Sequence, residues 1–242
     1  MNDANSKVLF EQTDKVFEFK LNNNKTLNAI DQEMVTIMAK QLKKWHDAPK
    51  EEVPRVALIS GTGGKAFCAG GDIVSLYHAN NGKEGYDPKS KATFFADEYM
   101  MDYSLTTMSP LQISIWNGIV MGGGVGVSCH APIRVATDNT MYAMPETGIG
   151  FFTDVGGSYF LSRIKGDISL GMYLGLTGHR LKAKDLVKWG VATHFVSADK
   201  IEPLKEDLFS NVTSESTNEE ILNIVNWYSD EYAAQEPFEN LP

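Results

Sequence analysis

Leu111-Gln-Ile-Ser-Ile-Trp-Asn-Gly-Ile-Val-Met-Gly-Gly-Gly-Val-Gly126 is the stretch on which the fold turns. Its first six residues read as a strand and Asn117-Gly118 as a turn, and the glycines at 122 to 124 open a short apolar segment that runs to His130. A further strand, Ile133-Arg-Val-Ala136, follows ahead of the turn residues Asp138-Asn139. Working upstream, Val56-Ala-Leu-Ile59 is a short buried strand running into Gly61-Thr-Gly-Gly64, and Val16-Phe-Glu-Phe-Lys-Leu21 has the period-2 alternation of a half-buried strand. Between these two strands, Met34, Met38, Leu42 and Trp45 recur at helical spacing with Lys40, Lys43 and Lys44 on the other face. With Asp31 placed to cap, residues 31 to 46 are expected to form an amphipathic helix. A second helix is expected from Lys91 to Thr107, after an Asn/Gly/Asp/Pro-rich loop over residues 80–88 and before Pro110. Downstream, residues 183–189 read as a brief helix, 191–195 as a last strand, 220–232 as an acidic amphipathic helix and 236–242 as a frayed tail. Strands separated by helical patterns and glycine turns predict an α/β chain of repeated strand–strand–helix units, and exclude all-α and all-β folds.

Composition narrows the function classes. The chain has 242 residues, 43% of them apolar, enough for a sizeable core. A net charge of −9 with no basic block removes the footprint of a general nucleic-acid binder and disfavours anionic membranes. Cys68 and Cys129 make no disulfide framework, and the first residues carry neither a secretory apolar stretch nor an Arg-rich presequence. The expectation is a soluble protein of a reducing compartment, bound to neither nucleic acid nor membrane.

Three segments could carry chemistry. Gly64-Lys-Ala-Phe-Cys-Ala-Gly-Gly-Asp72 lets the backbone approach a ligand, and Asp72 can cap a following helix. Ala66 in place of Ser or Thr after the lysine rules against a triphosphate-binding loop. Met121-Gly-Gly-Gly-Val-Gly126 leaves backbone N–H groups free ahead of an apolar run, as an anion site requires, although close packing would also use three glycines. Ala143-Met-Pro-Glu-Thr-Gly-Ile-Gly-Phe-Phe-Thr-Asp-Val-Gly-Gly157 sets Glu146 and Asp154 among apolar neighbours, which raises carboxyl pKa values and suits acid–base work. Read in isolation, the same two residues serve as helix-start groups. The five histidines show no metal-ligand spacing, no serine triad can be assembled, and Cys68 and His130 fit core roles better than a nucleophile–base pair.

These segments occur together and in order, and with Thr26-Leu-Asn-Ala-Ile30 and Leu176-Thr-Gly178 the chain resembles the crotonase (enoyl-CoA hydratase/isomerase) superfamily over residues 8 to 200. Phe94-Phe-Ala-Asp-Glu-Tyr99, Ala143-Met-Pro-Glu146 and Asp154-Val-Gly-Gly-Ser-Tyr-Phe160 look more specifically like its 3-hydroxyisobutyryl-CoA hydrolase branch. The resemblance implies a ββα spiral core over residues 1–200, with a helical C-terminal segment over 201–242 that is expected to be incomplete. It implies an acyl-CoA substrate, no cofactor, no metal and a possible homo-oligomer. Residue by residue, it implies that Gly71 and Gly123 supply two N–H groups to the thioester oxygen. Glu146 and Asp154 would be the catalytic carboxylates, Glu98 would contact the acyl group, and Ala66, Ala69 and Asp72 would line the substrate site.

One departure decides between activities. The family's hydratases carry a second glutamate three residues after the oxyanion glycine, and here that position is Gly126. Thioester hydrolysis is therefore expected, with hydratase/isomerase activity or a non-catalytic scaffold as the alternatives. The expected compartment is a bacterial-type cytoplasm, or the mitochondrial matrix for a mature form.

Overall fold

The computed structural model describes residues 5–86, 90–165 and 168–230, with residues 90–92 in backbone only. The tail expected at 236–242 and the last two residues of the helix expected to reach 232 lie outside the described residues. Two sheets form the body. The first has six strands, β1 (Val8–Gln12), β2 (Val16–Leu21), β3 (Val56–Gly61), β5 (Leu111–Trp116), β7 (Ile133–Ala136) and β10 (His194–Phe195), in that spatial order. The second has four, β4 (Ala66–Cys68), β6 (Ile119–Met121), β8 (Met141–Ala143) and β9 (Leu181–Lys182), also in chain order. From β2 onward the first sheet is parallel, with Val16 opposite Val56 and Val56 opposite Leu111. Strand pairs β3/β4, β5/β6 and β7/β8 each give one strand to either sheet, and this is the strand–strand–helix repeat expected from the sequence.

The helices are α1 (Gln32–Asp47), α2 (Ile73–Asn80), α3 (Ser90–Thr107), α4 (Gly123–Gly126), α5 (Gly157–Leu161), α6 (Ile168–Thr177), α7 (Ala183–Lys188), α8 (Ile201–Asn211) and α9 (Asn218–Tyr228). Asp31 caps α1 by accepting from the Met34 N–H at 3.0 Å, worth about 1 kcal/mol. The apolar face of α1 puts Trp45 edge-on to Phe17, with ring centroids 5.0 Å apart. Helices α8 and α9 cover the outer face of the six-stranded sheet, where Leu204, Leu208, Ile221 and Val225 meet Val56, Leu58, Ile113 and Val135. No helix among the described residues is long and apolar enough to cross a membrane.

Three expectations need correction. Strand β2 is buried on both faces, because Glu18 is enclosed by the side chains of Ser60, Lys20 and Lys205. The run 191–195 holds only the two-residue β10, since Val191 and Ala192 lie in the turn that leaves α7, where the Ala192 N–H bonds the Leu186 carbonyl. The helix expected over 220–232 starts at Asn218 and stops at Tyr228, where Ser229 takes an extended conformation.

Candidate active site

The site is built where two glycine turns meet. The segment Thr26–Ile30 straps the first: Asn28 donates from Nδ2 to the Thr62 and Ala66 carbonyls at 3.1 and 2.9 Å, the Ala69 N–H bonds the Leu27 carbonyl, and Ile30 bridges Gly71. The second turn leaves β6 through Gly122, whose φ of +48° with ψ of −120° is a conformation that only glycine takes readily. A Cβ there would also stand 2.9 Å from Glu146 Oε1. Gly123 then opens α4 beside Gly71: a Cβ on Gly123 would lie 3.2 Å from the Gly71 nitrogen and 2.6 Å from Glu98 Oε1. Among the described residues neither the Gly71 nor the Gly123 N–H has an acceptor, and the two groups lie side by side.

Four carboxyl groups cluster along this second turn: Glu98 beside Gly123, Glu146 beside Gly122 and Asp102 beside Gly126, with Asp154 near enough to act on all three. Helix α3 turns Phe94, Glu98, Met101, Asp102 and Leu105 inward, so two acids share its buried stripe, with Glu98 only 2% and Asp102 6% exposed. Glu146 begins the turn after β8 and is 7% exposed, while Asp154 is half-buried and accepts from the Tyr99 hydroxyl at 2.6 Å. Glu98 Oε1, Glu146 Oε2 and both Asp102 oxygens are buried and find no hydrogen-bond partner among the described residues. No salt bridge among the described residues reaches any of the four.

Burial without a counter-charge shifts all of them upward. Loss of hydration, reinforced by Asp154 and Glu146, pushes Glu98 up to about 8. Desolvation, helped by Asp154, pushes Glu146 up to about 7, so its proton comes and goes near neutral pH. Asp102 is driven well above the usual carboxyl range by burial and then by Glu98 and Asp154. Asp154 is raised by burial, and the Tyr99 hydrogen bond holds it back. Val155, next to Asp154, is a β-branched residue at φ +47°, a strained geometry that costs roughly 1–3 kcal/mol and fixes the loop that carries this carboxylate. A cavity of about 730 Å³ opens between α3 and residues 152–159, lined by Tyr99, Asp102, His130, Phe152, Asp154 and Tyr159.

Among the residues singled out in the sequence, Gly71, Gly123, Glu98, Glu146 and Asp154 come together here. Asp72, which follows Gly71, caps α2 by accepting from the Ser75 N–H at 3.0 Å and hydroxyl at 2.6 Å. Ala66 is buried in β4 and Ala69 is half-buried in the strapped turn. Cys68 is an enclosed thiol pushed up to about 12 by desolvation, which makes it a poor nucleophile. No group of three or more His, Cys, Asp or Glu among the described residues is arranged to hold a metal ion. The sequence reading missed Asp102 and the Tyr99 hydroxyl. Their signal was present: acids at 98 and 102 recur at the spacing of the apolar stripe Phe94, Met101, Leu105.

Paired sheets wound in strand–strand–helix turns around such a site define a class, and the sequence profile of the enoyl-CoA hydratase/isomerase family matches residues 16–241: the chain belongs to that family. Within it, the chain is 48% identical over 205 residues to the mitochondrial 3-hydroxyisobutyryl-CoA hydrolase of Danio rerio, covering 85% of this chain and 51% of that protein. It is 44% identical over 208 residues to the human protein of the same name, covering 86% and 52%. The chain thus spans about half the length of these relatives. Among solved structures it resembles a carnitinyl-CoA dehydratase from Mycobacterium thermoresistibile, with a TM-score of 0.80 and 36% identity over 94% of this chain and 62% of the other. An enoyl-CoA hydratase from Rhodobacter sphaeroides matches with a TM-score of 0.75 and 29% identity, covering 95% and 66%.

Proposed function

We propose that this chain carries the reactive core of an acyl-CoA thioester hydrolase that converts 3-hydroxyisobutyryl-CoA and water to 3-hydroxyisobutyrate and CoA. The observation that carries the reading is residue 126. A Cβ on Gly126 would stand 2.6 Å from Val155 Cβ and 2.7 Å from Asp102 Oδ2, so α4 has neither a second glutamate nor room for one. Addition of water to a double bond then lacks its second water-holding carboxylate on α4, whereas thioester hydrolysis needs one activated oxygen beside an oxyanion site. The names of the relatives support the same choice and the same acyl group. Their mitochondrial designation favours the matrix over the cytoplasm among the two compartments expected.

In this reading the thioester oxygen sits between the Gly71 and Gly123 N–H groups, which act most strongly as negative charge develops on it. Loss of one such donor costs about 3 kcal/mol in barrier height. Glu146 in its ionised form takes the proton of an attacking water, or attacks the thioester carbon itself. In the second route the C–S bond breaks, CoA leaves as thiolate and takes a proton, and water then cleaves the mixed anhydride to regenerate Glu146. Asp154 relays the proton, and Glu98, protonated near neutrality, donates to the 3-hydroxyl of the acyl group.

A second reading, hydration or dehydration of an enoyl-CoA, draws on the named activities of the two structural neighbours and on the Asp102 oxygen lying where a residue-126 side chain would be. Thiol release from 3-hydroxyisobutyryl-CoA and hydration of crotonyl-CoA, measured side by side, separate the two. Thiol release without hydration is expected, and hydration without thiol release would replace the hydrolase reading with the hydratase one. In single turnover in labelled water, oxygen-18 in Glu146 would establish the anhydride route.

A further inference from the structure

Asp102 is the acid that the mechanism above leaves unused. It stands one helical turn after Glu98 on the buried face of α3, and both its oxygens are enclosed and find no partner among the described residues. Its Oδ2 fills the space over Gly126, 2.7 Å from where a Cβ would be, and its side chain lines the cavity between α3 and residues 152–159. The titratable groups around it among the described residues are Glu98, Tyr99 and Tyr103 on its own helix, Cys68 on β4, Cys129 and His130 after α4, Asp154 before α5 and Tyr159 on α5. None is a lysine or arginine. Both thiols are held protonated by burial, and His130 is pushed down by burial and by Arg134, so among the described residues no cation balances a charge on Asp102. Two carboxylates on one helical turn, both buried and uncompensated, cannot both ionise, because each raises the cost of the other's charge.

We propose that Asp102 is a further positioning residue of this site: a carboxylic acid that keeps its proton at working pH and offers an O–H donor from α3 into the cavity between α3 and residues 152–159. The inference rests on reading this cleft as the reactive site. Held neutral, Asp102 leaves the negative charge of the cluster to Glu146 and Asp154, the two groups that need it. It also presents a donor and an acceptor to a hydroxylated acyl group or to a water beside it. A neutral acid cannot activate water as a carboxylate does, so the same property weighs against Asp102 standing in for the hydratases' second glutamate.

The test has two arms. An acid that stays protonated in the fold but ionises near pH 3.9 when unfolded makes the fold lose stability as pH rises from that value toward its folded pKa, and asparagine suffers no such loss. Thermal melts of D102N and of the unaltered protein are therefore expected to diverge in favour of D102N between about pH 4 and about pH 7. A difference that stays constant over that range would overturn the proton-holding claim, and this arm needs no activity. In the second arm, D102L is expected to lower kcat for thiol release about tenfold with little change in KM, and D102N to restore most of it. D102L acting like the unaltered protein, or D102N as impaired as D102L, would overturn the positioning role. Absence of turnover in every variant would count against the hydrolase reading while the melts still decide the protonation of Asp102.

Discussion

Two regions of this molecule bury carboxyl groups, and they treat them in opposite ways. Glu18, fully enclosed on β2, accepts from the Ser60 hydroxyl at 2.6 Å and forms ion pairs with Lys205 Nζ at 2.9 Å and, at its other oxygen, with Lys20 Nζ at 3.4 Å. Its charge is matched, and the match ties α8 to the six-stranded sheet. Across the body, Glu98, Asp102, Glu146 and Asp154 are gathered with no ion pair to any of them among the described residues, and Tyr99 supplies the hydrogen bond that Asp154 accepts. The contrast separates structure from reactivity: a compensated buried acid is a fastening, whereas an uncompensated group keeps protons mobile near neutral pH and persists only because the surrounding fold holds it.

The sharpest way to break this comparison is Glu146→Gln. Glutamine keeps the shape and removes both the charge and the nucleophilic oxygen, so kcat for thiol release should fall about a thousandfold with the melting temperature little changed. A loss of less than about tenfold would move the reactive centre away from the uncompensated cluster. In the unaltered protein the same residue sets an acid limb: activity should drop as pH falls below about 7, because the reactive form is the ionised one and its proton returns there.

The matched region should respond in stability and not in rate. Lys205→Met strips Glu18 of its nearest cation inside the fold and should cost about 3 kcal/mol in urea unfolding. Adding Glu18→Leu to it should recover much of that loss, because removing both partners leaves no buried charge to solvate. If the single substitution lowered kcat at constant stability, the division between fastening and reactive acids would fail.

How much of this was legible beforehand follows from the range of the forces involved. Strands β2, β3, β5 and β7 and helix α1 were readable because burial writes a period into the residues themselves, as Met34, Met38, Leu42 and Trp45 do. Strands β4, β6 and β8, at three residues each, are too short to carry a period. Helix α6 is apolar on most sides, so it offers no polar face to read. Gly71, Gly123, Glu98, Glu146 and Asp154 could be named from motifs, but their mutual approach could not, because α3, β6 and the loop after β8 are brought together only by the winding of the two sheets. Glu18 shows the same limit in reverse: its partner Lys205 lies far along the chain, so alternation alone places it facing water.

Tyr99 offers the finest adjustment of the unmatched cluster. Its hydroxyl favours the ionised form of Asp154, so Tyr99→Phe should raise that carboxyl further and shift its ionisation to higher pH. If Asp154 must be ionised to relay a proton, activity near pH 6 should fall more than activity near pH 8, with the limb displaced upward by less than about one unit and kcat at the alkaline end reduced no more than about threefold. The ring is part of the cavity wall and remains in phenylalanine, so a uniform loss at every pH would point to packing instead, and a limb displaced downward would mean that Asp154 works in its protonated form.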